Sequence, residues 1–352
     1  MHAEERHQAI LRRLREHGSL RVTEFAEELQ VSPVTIRRDV EALAERGLVT
    51  RVHGGALLPD GPTAAVPDGA PAARTPAREL VVGLIVPAAD YYYPEVIKGA
   101  REAAAERGVR LVLGISQYDH GQEREQARRM LADGIDGLLI TPCGGAGESW
   151  LTALGVPYVL VERRPGDELP GAEHVVTDHV YGARLAVRHL AEAGHRRIAL
   201  LLRDDSPHGA PVLEGYRGGL AAAGLREPEP SPLRLPPPAG DAAGRERVLG
   251  EFTDAVADGR LDAALVHNDH DALVLLQRLR THGIDVPGDL ALVAYDDEVA
   301  SLADIPLTAV APPKHAVGAA AVGLLAERIT DPGRARHRLA ILPELHVRAS
   351  SS

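Results

Sequence analysis

Several residue types that build common kinds of site are scarce in this chain. Its 352 residues include a single cysteine, Cys143, which excludes an intrachain disulfide and predicts no metal centre built from cysteines. No apolar stretch approaches the length of a membrane span, and the first residues have the pattern of a polar helix rather than of a signal peptide. We therefore expect a cytoplasmic protein that does not contact a membrane.

Length and charge limit the possible organisation. A chain of 352 residues is long for one domain, so two or three units are expected. The formal net charge of −11 argues against indiscriminate binding of nucleic acid by the whole chain. Residues 1–57 contain nine arginines and nine acidic residues, so only a local arginine face of this segment can attract phosphate.

The amino-terminal residues have the pattern of a helix-turn-helix. A short helix is predicted over residues 22–29, and a second one begins at Ser32 and Pro33 and runs to about residue 46. Ser32 is a favourable N-cap, and Pro33 suits the first helical position, where a missing N–H costs nothing. Helical spacing predicts that the second helix packs inward through Val34, Ile36, Val40, Leu43 and Ala44.

The other side of this second helix is polar near its start. The residues predicted to face solvent are Thr35, Arg37, Arg38 and Asp39. A helix-turn-helix places this part of its second helix against base edges and phosphates, so the arginine pair lies where DNA would bind. The alternative is a small three-helix bundle with a solvated arginine pair.

A predicted hairpin after the second helix favours DNA binding over that alternative. Residues 47–55 have the pattern of a tight wing that presents Arg51 and His53. The candidate DNA-binding residues are Ser32, Thr35, Arg37, Arg38, Arg51 and His53. The runs VSPVTIRRD (31–39) and RVHGGA (51–56) resemble the recognition helix and closing segment of the deoxyribose-operon repressor (DeoR) family. The resemblance covers residues 1–57 and implies a winged helix-turn-helix that reads operator DNA.

Residues 58–78 have the composition of a linker. They hold five prolines and two glycines and almost no apolar pattern. We expect an extended, semi-stiff connection, because each interior proline costs a helix about 3 kcal/mol.

From residue 79 the pattern changes to apolar strands that alternate with amphipathic helices. Apolar runs bounded by turns and separated by helical patterns predict parallel sheets built from β-α-β units. A break near residues 165–173 divides them into two sheets, so we predict an α/β domain with two lobes over residues 79–350. The first lobe is assigned residues 79–172 and 312–335, and the second is assigned residues 173–308 and 338–350. Residues 339–347 are predicted to form a final strand pair.

Several short segments of this part follow one another in a recognisable order. They are VGLIVP (82–87), DGLLI (136–140), VPYVLVER (156–163), VTD (176–178), GHRRIA (194–199), LEGYR (213–217), HND (267–269), VAYDD (293–297) and PLT (306–308). Together they resemble the sensor domain of the lactose- and galactose-repressor regulators, which is similar to periplasmic sugar-binding proteins. The chain thus resembles a hybrid, with a DeoR-type reader joined to a sensor in which an effector binds between two lobes.

Polar residues lie just past several predicted strands, where ligands of parallel α/β sheets bind. Asn268 is the only asparagine of the chain, and its amide can both donate to and accept from a sugar hydroxyl. Glu162 and Asp296 can accept hydrogen bonds from neighbouring hydroxyls, and the tyrosines at positions 91–93 offer flat faces for a sugar ring. The candidate effector-binding residues are Asp90, Tyr92, Tyr93, Glu162, Asp178, Asn268 and Asp296.

The family resemblance assigns effector contacts to only five of these positions. They are Tyr92, Tyr93, Glu162, Asn268 and Asp296. For Asp178 and Asp296 the alternative role is helix N-capping or loop support, since capping is a common role of aspartate after a strand.

Two positions depart from the family pattern. Val212 stands where many relatives carry an effector-binding arginine, and Pro312 stands where they often place glutamine, so no relative's specificity is transferred. The remaining candidates are mostly acidic or neutral, with Arg163, Arg203 and His208 as the exceptions. A phosphorylated sugar needs a cluster of donors, so we expect an uncharged saccharide.

The sequence thus predicts a transcription regulator, a repressor by analogy with the family, that binds a repeated operator as a homodimer. A solute-binding protein would explain only the sensor part and would require export. A sugar-metabolising enzyme with an accessory nucleic-acid-binding domain would need a catalytic constellation that the sequence does not contain. No cofactor or metal is expected, because His267 and His270 have no third ligand in the sequence pattern.

Overall fold

A computed structural model of the chain describes residues 3–17, 19–29, 31–45, 49–52, 55–57, 79–144 and 148–352. The chain divides into two units, residues 1–75 and residues 76–352. The predicted linker of residues 58–78 lies outside the described residues. None of the described helices has both the length and the apolar character that a bilayer span requires.

The described part of the first unit contains three helices and a small antiparallel sheet. In chain order its elements are α1 (Ala3–His17), β1 (Ser19–Arg21), α2 (Val22–Glu28), α3 (Pro33–Glu45), β2 (Thr50–Val52) and β3 (Gly55–Leu57). Strand β3 pairs with both β1 and β2, so a third strand joins the predicted hairpin. Buried side chains from all three helices, among them Ile10, Phe25 and Ile36, form one core. This arrangement is a winged helix-turn-helix, as the sequence predicts.

Two positions on α3 differ from the sequence prediction. Val34 is predicted to pack inward, but its side chain is 56% exposed, because it lies two residues, or about 200°, around the helix from the buried Ile36. Asp39 is predicted to face solvent, but it is buried and accepts a hydrogen bond from Arg6 Nε at 2.6 Å. It also lies 3.2 Å from His7 Nε2, so this carboxylate fastens α3 to α1.

The second unit alternates strands and helices. In chain order its elements are β4 (Leu80–Val86), α4 (Tyr93–Glu106), β5 (Val109–Ile115), α5 (His120–Ala132), β6 (Gly137–Ile140), β7 (Tyr158–Val161), β8 (Glu173–Thr177), α6 (His179–Glu192), β9 (Ile198–Arg203), α7 (Gly209–Ala222), β10 (Leu233–Leu235), α8 (Ala242–Ala257), β11 (Ala263–His267), α9 (Asp269–Thr281), β12 (Ala291–Tyr295), β13 (Thr308–Ala311), α10 (Lys314–Thr330), β14 (Arg338–Ile341) and β15 (Glu344–His346). Short 3₁₀ helices cover Glu148–Ala153, Ala300–Leu302 and Ala349–Ser351.

Two six-stranded sheets define the two lobes of this unit. The first sheet has the order β14-β8-β7-β6-β4-β5, and its pairs are all parallel. The second has the order β10-β9-β11-β12-β13-β15, and only β15 runs antiparallel to its neighbour. The strands in the middle of both sheets are buried along their whole length, as parallel strands covered by helices on both faces must be.

The predicted lobe boundaries are wrong at two strands. Residues 173–177 (β8) pair with β7 and therefore belong to the first lobe, because the break before them is a loop within that lobe. Residues 338–341 (β14) pair with β8, also in the first lobe. The predicted final strand pair is likewise wrong, since β14 and β15 lie in different sheets. The chain passes between the lobes at position 178, at positions 312–313 and at positions 342–343.

Close packing of α4 against α10 fixes one side of the space between the lobes. A Cβ atom on Gly99 would lie 2.0 Å from the carbonyl oxygen of His315, and one on Gly318 would lie 2.0 Å from that of Val96. Only glycine permits the two backbones to approach so closely. The start of α10, with Lys314, is thereby placed beside the tyrosines that follow β4.

Candidate functional site

The start of α3 forms a polar, basic surface. The Thr35 N–H donates to the Oγ of Ser32 at 3.2 Å, and the two hydroxyls lie 2.8 Å apart, which confirms that Ser32 caps the helix. Arg37 and Arg38 are exposed, and neither forms an ion pair or hydrogen bond with the described residues. Two uncompensated guanidinium groups on the first turns of a helix are suited to binding an anionic partner.

Val34 belongs to the same surface. It lies three and four residues before Arg37 and Arg38, so the three side chains share one face of α3. DNA-reading helices combine arginines that bind guanine or phosphate with apolar groups that contact thymine methyls. Sequence reasoning missed this residue because it treated every apolar position of α3 as core.

The wing is described only in part. Arg51 lies in β2, where it pairs with Ala56 of β3. His53 lies outside the described residues. The structure therefore places Arg51 on the wing and leaves the roles of both residues as predictions.

The two lobes of the second unit border a cavity of about 580 Å³ at the carboxyl ends of their strands. Its lining residues are Tyr91, Tyr92, Tyr93, Tyr118, Arg203, Asp205, Ser206, Pro207, His208, His267, Asn268 and Asp296. Four of the seven predicted effector residues are among them. The other three, Asp90, Glu162 and Asp178, do not line this cavity.

Tyr91 connects the lobes across the cavity. It follows β4 in the first lobe, and its hydroxyl donates to Asp296 Oδ2 at 3.0 Å and accepts from the Asp269 N–H at 3.3 Å, both in the second lobe. Its ring also lies against His270, with 4.5 Å between the ring centroids. Its backbone adopts the left-handed conformation, with φ = 50°, which is strained for tyrosine. Sequence reasoning noted the flat faces of the tyrosine run but did not include Tyr91 among the effector-binding residues.

Lys314 makes a second connection between the lobes. This buried lysine begins α10 of the first lobe, and its Nζ donates to the carbonyl oxygen of Asp296 and pairs with Glu298, both in the second lobe. The same Nζ lies 5.2 Å from the centroid of the Tyr92 ring, a cation–π contact. Residues from both lobes therefore converge on Asp296.

Two buried carboxyl groups at this point have raised pKa values. Burial raises the pKa of Asp296 to about 6 in spite of the nearby Lys314. Burial also raises the pKa of Asp269 to about 6. Asp269 Oδ2 accepts hydrogen bonds from the backbone N–H groups of residues 298, 299 and 300, at 2.7, 2.9 and 3.2 Å, and so holds the loop after Asp296.

Glu162 is bound within the first lobe. This fully buried carboxylate accepts from the Tyr92 hydroxyl at 2.7 Å, the Thr177 hydroxyl at 2.8 Å and the Thr177 N–H at 2.9 Å. It borders a smaller cavity of about 240 Å³. Its geometry fits a residue that orients Tyr92 better than one that contacts the effector directly.

The remaining candidates divide between caps and cavity contacts. Asp178 Oδ1 accepts from the Tyr181 N–H at 2.9 Å, so it caps α6, which is the alternative weighed for it from the sequence. Asn268 Oδ1 caps α9 at 3.2 Å, but Asn268 also lines the cavity, and its amide nitrogen has no partner among the described residues. Asp90 is exposed outside the cavity lining.

Three histidines in or beside the cavities are neutral. Burial lowers the pKa of His179 to about 3 and that of His267 to about 4, and it lowers the pKa of His208 well below its ordinary value. His179 Nδ1 lies 3.2 Å from the Tyr295 hydroxyl, and its ring centroid lies 4.1 Å from that of His208. Each ring therefore supplies hydrogen-bonding atoms and no charge.

Two arginines near the cavities differ in how their charge is compensated. Arg203 is held by both carboxylate oxygens of Asp205, at 2.9 and 2.7 Å. Arg163 lines the smaller cavity, donates to the Glu162 carbonyl at 2.8 Å and forms no ion pair within the described part of the chain. Its buried Nε has no hydrogen-bond partner there either. The larger cavity thus has no uncompensated cation among its lining residues.

Comparison with known proteins supports both parts of this architecture. Residues 6–61 match the DeoR-like helix-turn-helix domain, and residues 187–351 match the periplasmic binding protein-like domain. The ribose operon repressor of Escherichia coli K12 is 30% identical over 77% of this chain and 82% of its own length. A solved structure of a putative LacI-family regulator from Sanguibacter keddieii is 31% identical, covers 77% of this chain and 98% of that one, and has a TM-score of 0.62.

The chain belongs to the LacI family of transcription regulators. A solved complex of the transcriptional regulator CelR with cellobiose has a TM-score of 0.67, with 28% identity over 91% of this chain and 92% of that one. The resemblances inferred from the sequence are therefore confirmed, including the DeoR-type reader on this LacI-family chain.

The structure shows where the two residues that depart from the LacI-family pattern lie. Val212 is fully buried in α7 and packs in the core of the second lobe, so it cannot contact an effector. Pro312 lies where the chain passes between the lobes, next to Lys314. The cavity residues that sequence reasoning did not name, Tyr118, Ser206 and Pro207, lie on loops with no periodic pattern to mark them.

Proposed function

We propose that this LacI-family protein represses transcription by binding an operator through α3 and the wing, and that a small saccharide between its lobes controls the operator affinity. The proposal rests on one observation above all: a polar cavity of about 580 Å³ is bordered by both lobes, at the edge where parallel sheets bind ligands. Its volume is within the range of about 300–1,000 Å³ that small-molecule sites occupy.

The operator part of the proposal is supported by the surface of α3. Arg37 and Arg38 are exposed and have no ion-pair partner among the described residues, and Val34 lies on the same face. A LacI-family relative in the comparison is named a repressor, which favours repression over activation. We propose a homodimer with half-sites about one helical turn, or about 34 Å, apart, because a single helix-turn-helix reads only one half-site.

The saccharide part is supported by the groups that line the cavity. Asp296 and Asn268 offer an acceptor and a donor for neighbouring hydroxyls, and the tyrosines offer apolar faces. An uncharged saccharide fits this cavity, since its one arginine is already paired with Asp205. A sugar acid would have to place its carboxylate on Arg163 in the smaller cavity.

We propose a cytoplasmic site of action, because operator DNA is there, and a regulator without catalysis. The acidic residues near the cavity are already occupied: Glu162 accepts three hydrogen bonds from Tyr92 and Thr177, and Asp269 holds a loop. Neither arrangement places a free acid and base about one substrate atom. The alternative of a sugar-metabolising protein has no specific observation in its favour.

We further propose that the effector acts through the geometry of the dimer. Tyr91 and Lys314 hold the lobes together around Asp296, and a saccharide in the cavity would replace part of that contact set. Such coupling requires different saccharide affinities in the two lobe arrangements. A stiff, proline-rich linker transmits a change in the geometry of the sensor dimer to the two DNA-binding domains better than a flexible linker does. Replacing residues 60–76 by glycine and serine should then weaken the effector response and leave saccharide binding intact.

The experiment is a calorimetric screen of the full chain against neutral mono- and disaccharides, sugar phosphates and uronic acids. The binder is then added to the protein on its operator, taken from the DNA upstream of its own gene, and fluorescence anisotropy reports the affinity. We expect a neutral saccharide to bind and to change the operator affinity. If only a uronic acid binds tightly, the effector site would instead be the smaller cavity with Arg163. Binding of any sugar without an effect on DNA would contradict the regulatory proposal.

A further inference from the structure

Three side chains with metal-binding groups meet in the first lobe, outside the residues that line the effector cavity. His120 and Glu123 lie on the first turn of α5, three residues apart and therefore on one face of the helix. Cys143 follows β6 and reaches the same turn. Their imidazole, carboxylate and thiol donor atoms all lie within 4.8 Å of one another.

Two neighbouring groups orient these side chains. The Cys143 N–H donates to Glu123 Oε2 at 2.7 Å, which fixes the carboxylate and leaves Oε1 for another partner. The hydroxyl of the buried Ser116 lies 3.5 Å from the Cys143 sulfur. Hydrogen bonds of this kind hold the ligands of metal sites in position and are part of such sites.

Glu123 lacks a compensating charge. It is only 1% exposed, and it forms no ion pair with an arginine, lysine or histidine of the described residues. Its helix neighbour Glu125, by contrast, is half exposed and pairs with Arg128 and Arg129. A buried carboxylate without a counter-ion is costly, and a cation bound by the same cluster would remove that cost.

We propose that His120, Glu123 and Cys143 form a binding site for a divalent transition-metal ion of the zinc class. Thiolate and imidazole select zinc, cobalt or nickel over magnesium and calcium, which prefer oxygen ligands alone. Three protein ligands leave one tetrahedral position for water. Bond lengths of about 2.0–2.3 Å place tetrahedral donors about 3.5 Å apart, so binding an ion would draw together donor atoms that now lie within 4.8 Å of one another.

The position of the site explains why the sequence did not reveal it. His120 begins α5 whereas Cys143 follows β6, and a single cysteine gives no ligand spacing along the chain. The site lies within one lobe and shares no residue with the effector cavity. Its occupancy is therefore a property separate from saccharide binding, and the proposed regulatory function can fail without affecting it.

The test is a titration of the metal-free full chain with Co²⁺, followed by absorption spectroscopy. We expect one Co²⁺ per chain, intense visible bands of tetrahedral cobalt, and a near-ultraviolet charge-transfer band from a cysteine thiolate. Stoichiometric Zn²⁺ should remove all three signals, and Mg²⁺ should not.

Single substitutions identify the ligands. Cys143→Ser should abolish the charge-transfer band, and Glu123→Gln and His120→Ala should each weaken cobalt binding by more than about tenfold. His120 is exposed, so its replacement should not disturb folding, which circular dichroism checks. The matched control is His315→Ala, which removes an exposed histidine that pairs with Glu102 at 2.8 Å but has no thiol beside it.

Three results from the wild-type chain and the Cys143→Ser variant would overturn the proposal. They are no cobalt binding by the wild-type chain, a cobalt complex without the thiolate band, and a Cys143→Ser variant that binds cobalt as tightly as wild type. A His315→Ala variant that loses cobalt binding as His120→Ala does would also contradict the proposal. Exposed histidines would then bind the ion nonspecifically.

Discussion

The surface of α3 and the cavity of the sensor unit differ in how their polar groups are satisfied. Arg37 and Arg38 lie side by side in the sequence, are exposed, and have no partner among the described residues. Tyr91 and Asp296 lie 205 residues apart, are largely buried, and bind each other. The arginines of α3 can therefore bind a partner without breaking any contact between described residues. In the cavity, a bound molecule would have to replace hydrogen bonds that the protein already makes, such as that between Tyr91 and Asp296.

This difference determines what a substitution does in each region. An exposed side chain of α3 contributes little to folding, so its loss should change only DNA binding. A cavity side chain has buried partners, and its loss leaves them unpaired at a cost of about 1–3 kcal/mol. A substitution on the surface of α3 should therefore change DNA binding without changing stability. A substitution in the cavity should change both saccharide binding and stability.

The largest effect is expected from replacing Arg37 and Arg38 by alanine together. Each well-placed arginine contact to a base is worth about 1–3 kcal/mol, so operator affinity should fall about a hundredfold or more. The melting temperature should stay nearly unchanged, because neither side chain has a folded-state partner in the described structure. Fluorescence anisotropy with the operator measures the loss, and Arg128→Ala, at a residue exposed on α5, is the control. Operator binding near wild-type strength would remove α3 from the interface.

The next largest effect is expected in the cavity. Asn268→Asp keeps the oxygen that caps α9 but removes the free amide donor, and Asp296→Asn removes the charge that accepts from Tyr91. Each should weaken saccharide binding about 10- to 100-fold by calorimetry, since a lost hydrogen bond to a buried group costs about 1–3 kcal/mol. Operator affinity without saccharide should remain.

Asp178→Ala provides the contrast for these cavity variants. It should lower the stability by about 1 kcal/mol through the lost α6 cap and leave saccharide affinity unchanged. If Asp178→Ala weakens saccharide binding as much as Asp296→Asn does, the cavity boundary given by the structure is wrong.

A smaller effect is expected from pH. Asp296 and Asp269 have pKa values raised to about 6, so both are ionised at pH 7 and largely protonated at pH 5. The ionised Asp296 is the better acceptor for a sugar hydroxyl, so saccharide affinity should fall about tenfold as the pH falls from 7 to 5. His179 and His267, with pKa values of about 3 and 4, stay neutral over this range.

The linkage to stability has the opposite sign for these two carboxyl groups. A raised pKa in the fold means that the folded state binds the proton more tightly, so their contribution to stability is complete below the ordinary pKa of 3.8 and is lost as the pH rises from there through about 6. The charged or titratable groups that interact with Asp296 all remain in Asp296→Asn, and they include Lys314, Tyr91, Tyr92, Tyr295, Glu162, Glu298 and Asp269. In scanning calorimetry, the stability of the Asp296→Asn variant should depend less on pH than that of the wild type. If its pH dependence is unchanged, the pH dependence of stability arises from Asp269.

The smallest effect is expected at Val34. Val34→Ala removes about two methylene equivalents from an exposed surface, so stability should not change, while operator affinity should fall several-fold if a thymine methyl packs there. Ile36→Ala, two residues on, should instead cost about 2–5 kcal/mol of folding free energy because Ile36 is fully buried. Operators with uracil in place of thymine should reproduce the Val34→Ala loss. An equal loss of stability in both variants would contradict the exposure of Val34.

Local pattern was sufficient for most of the secondary structure. The alternation of apolar runs with helical patterns predicted an α/β unit with two sheets, and the strand order confirms it. Pattern failed where the decisive contact is distant. The sequence of β8 is compatible with a place in either lobe, and only its pairing with β7 shows that it belongs to the first lobe. Asp39 reads as a solvent-facing residue, and only its contact with Arg6 in α1 explains its burial.

The sequence by itself determined the two families, the order of the strands and helices, and the position of α3 with its Ser32 cap, because these depend on neighbours within a few turns of chain. Only the tertiary structure decided which polar residues of the sensor line the cavity between the lobes. Glu162, Asp178, Asn268 and Asp296 are alike in sequence as polar residues after strands. Their roles divide because one is bound by Tyr92 and Thr177, one caps a helix, and two keep polar atoms at the cavity. That division depends on contacts between residues up to 205 positions apart, which no local pattern records.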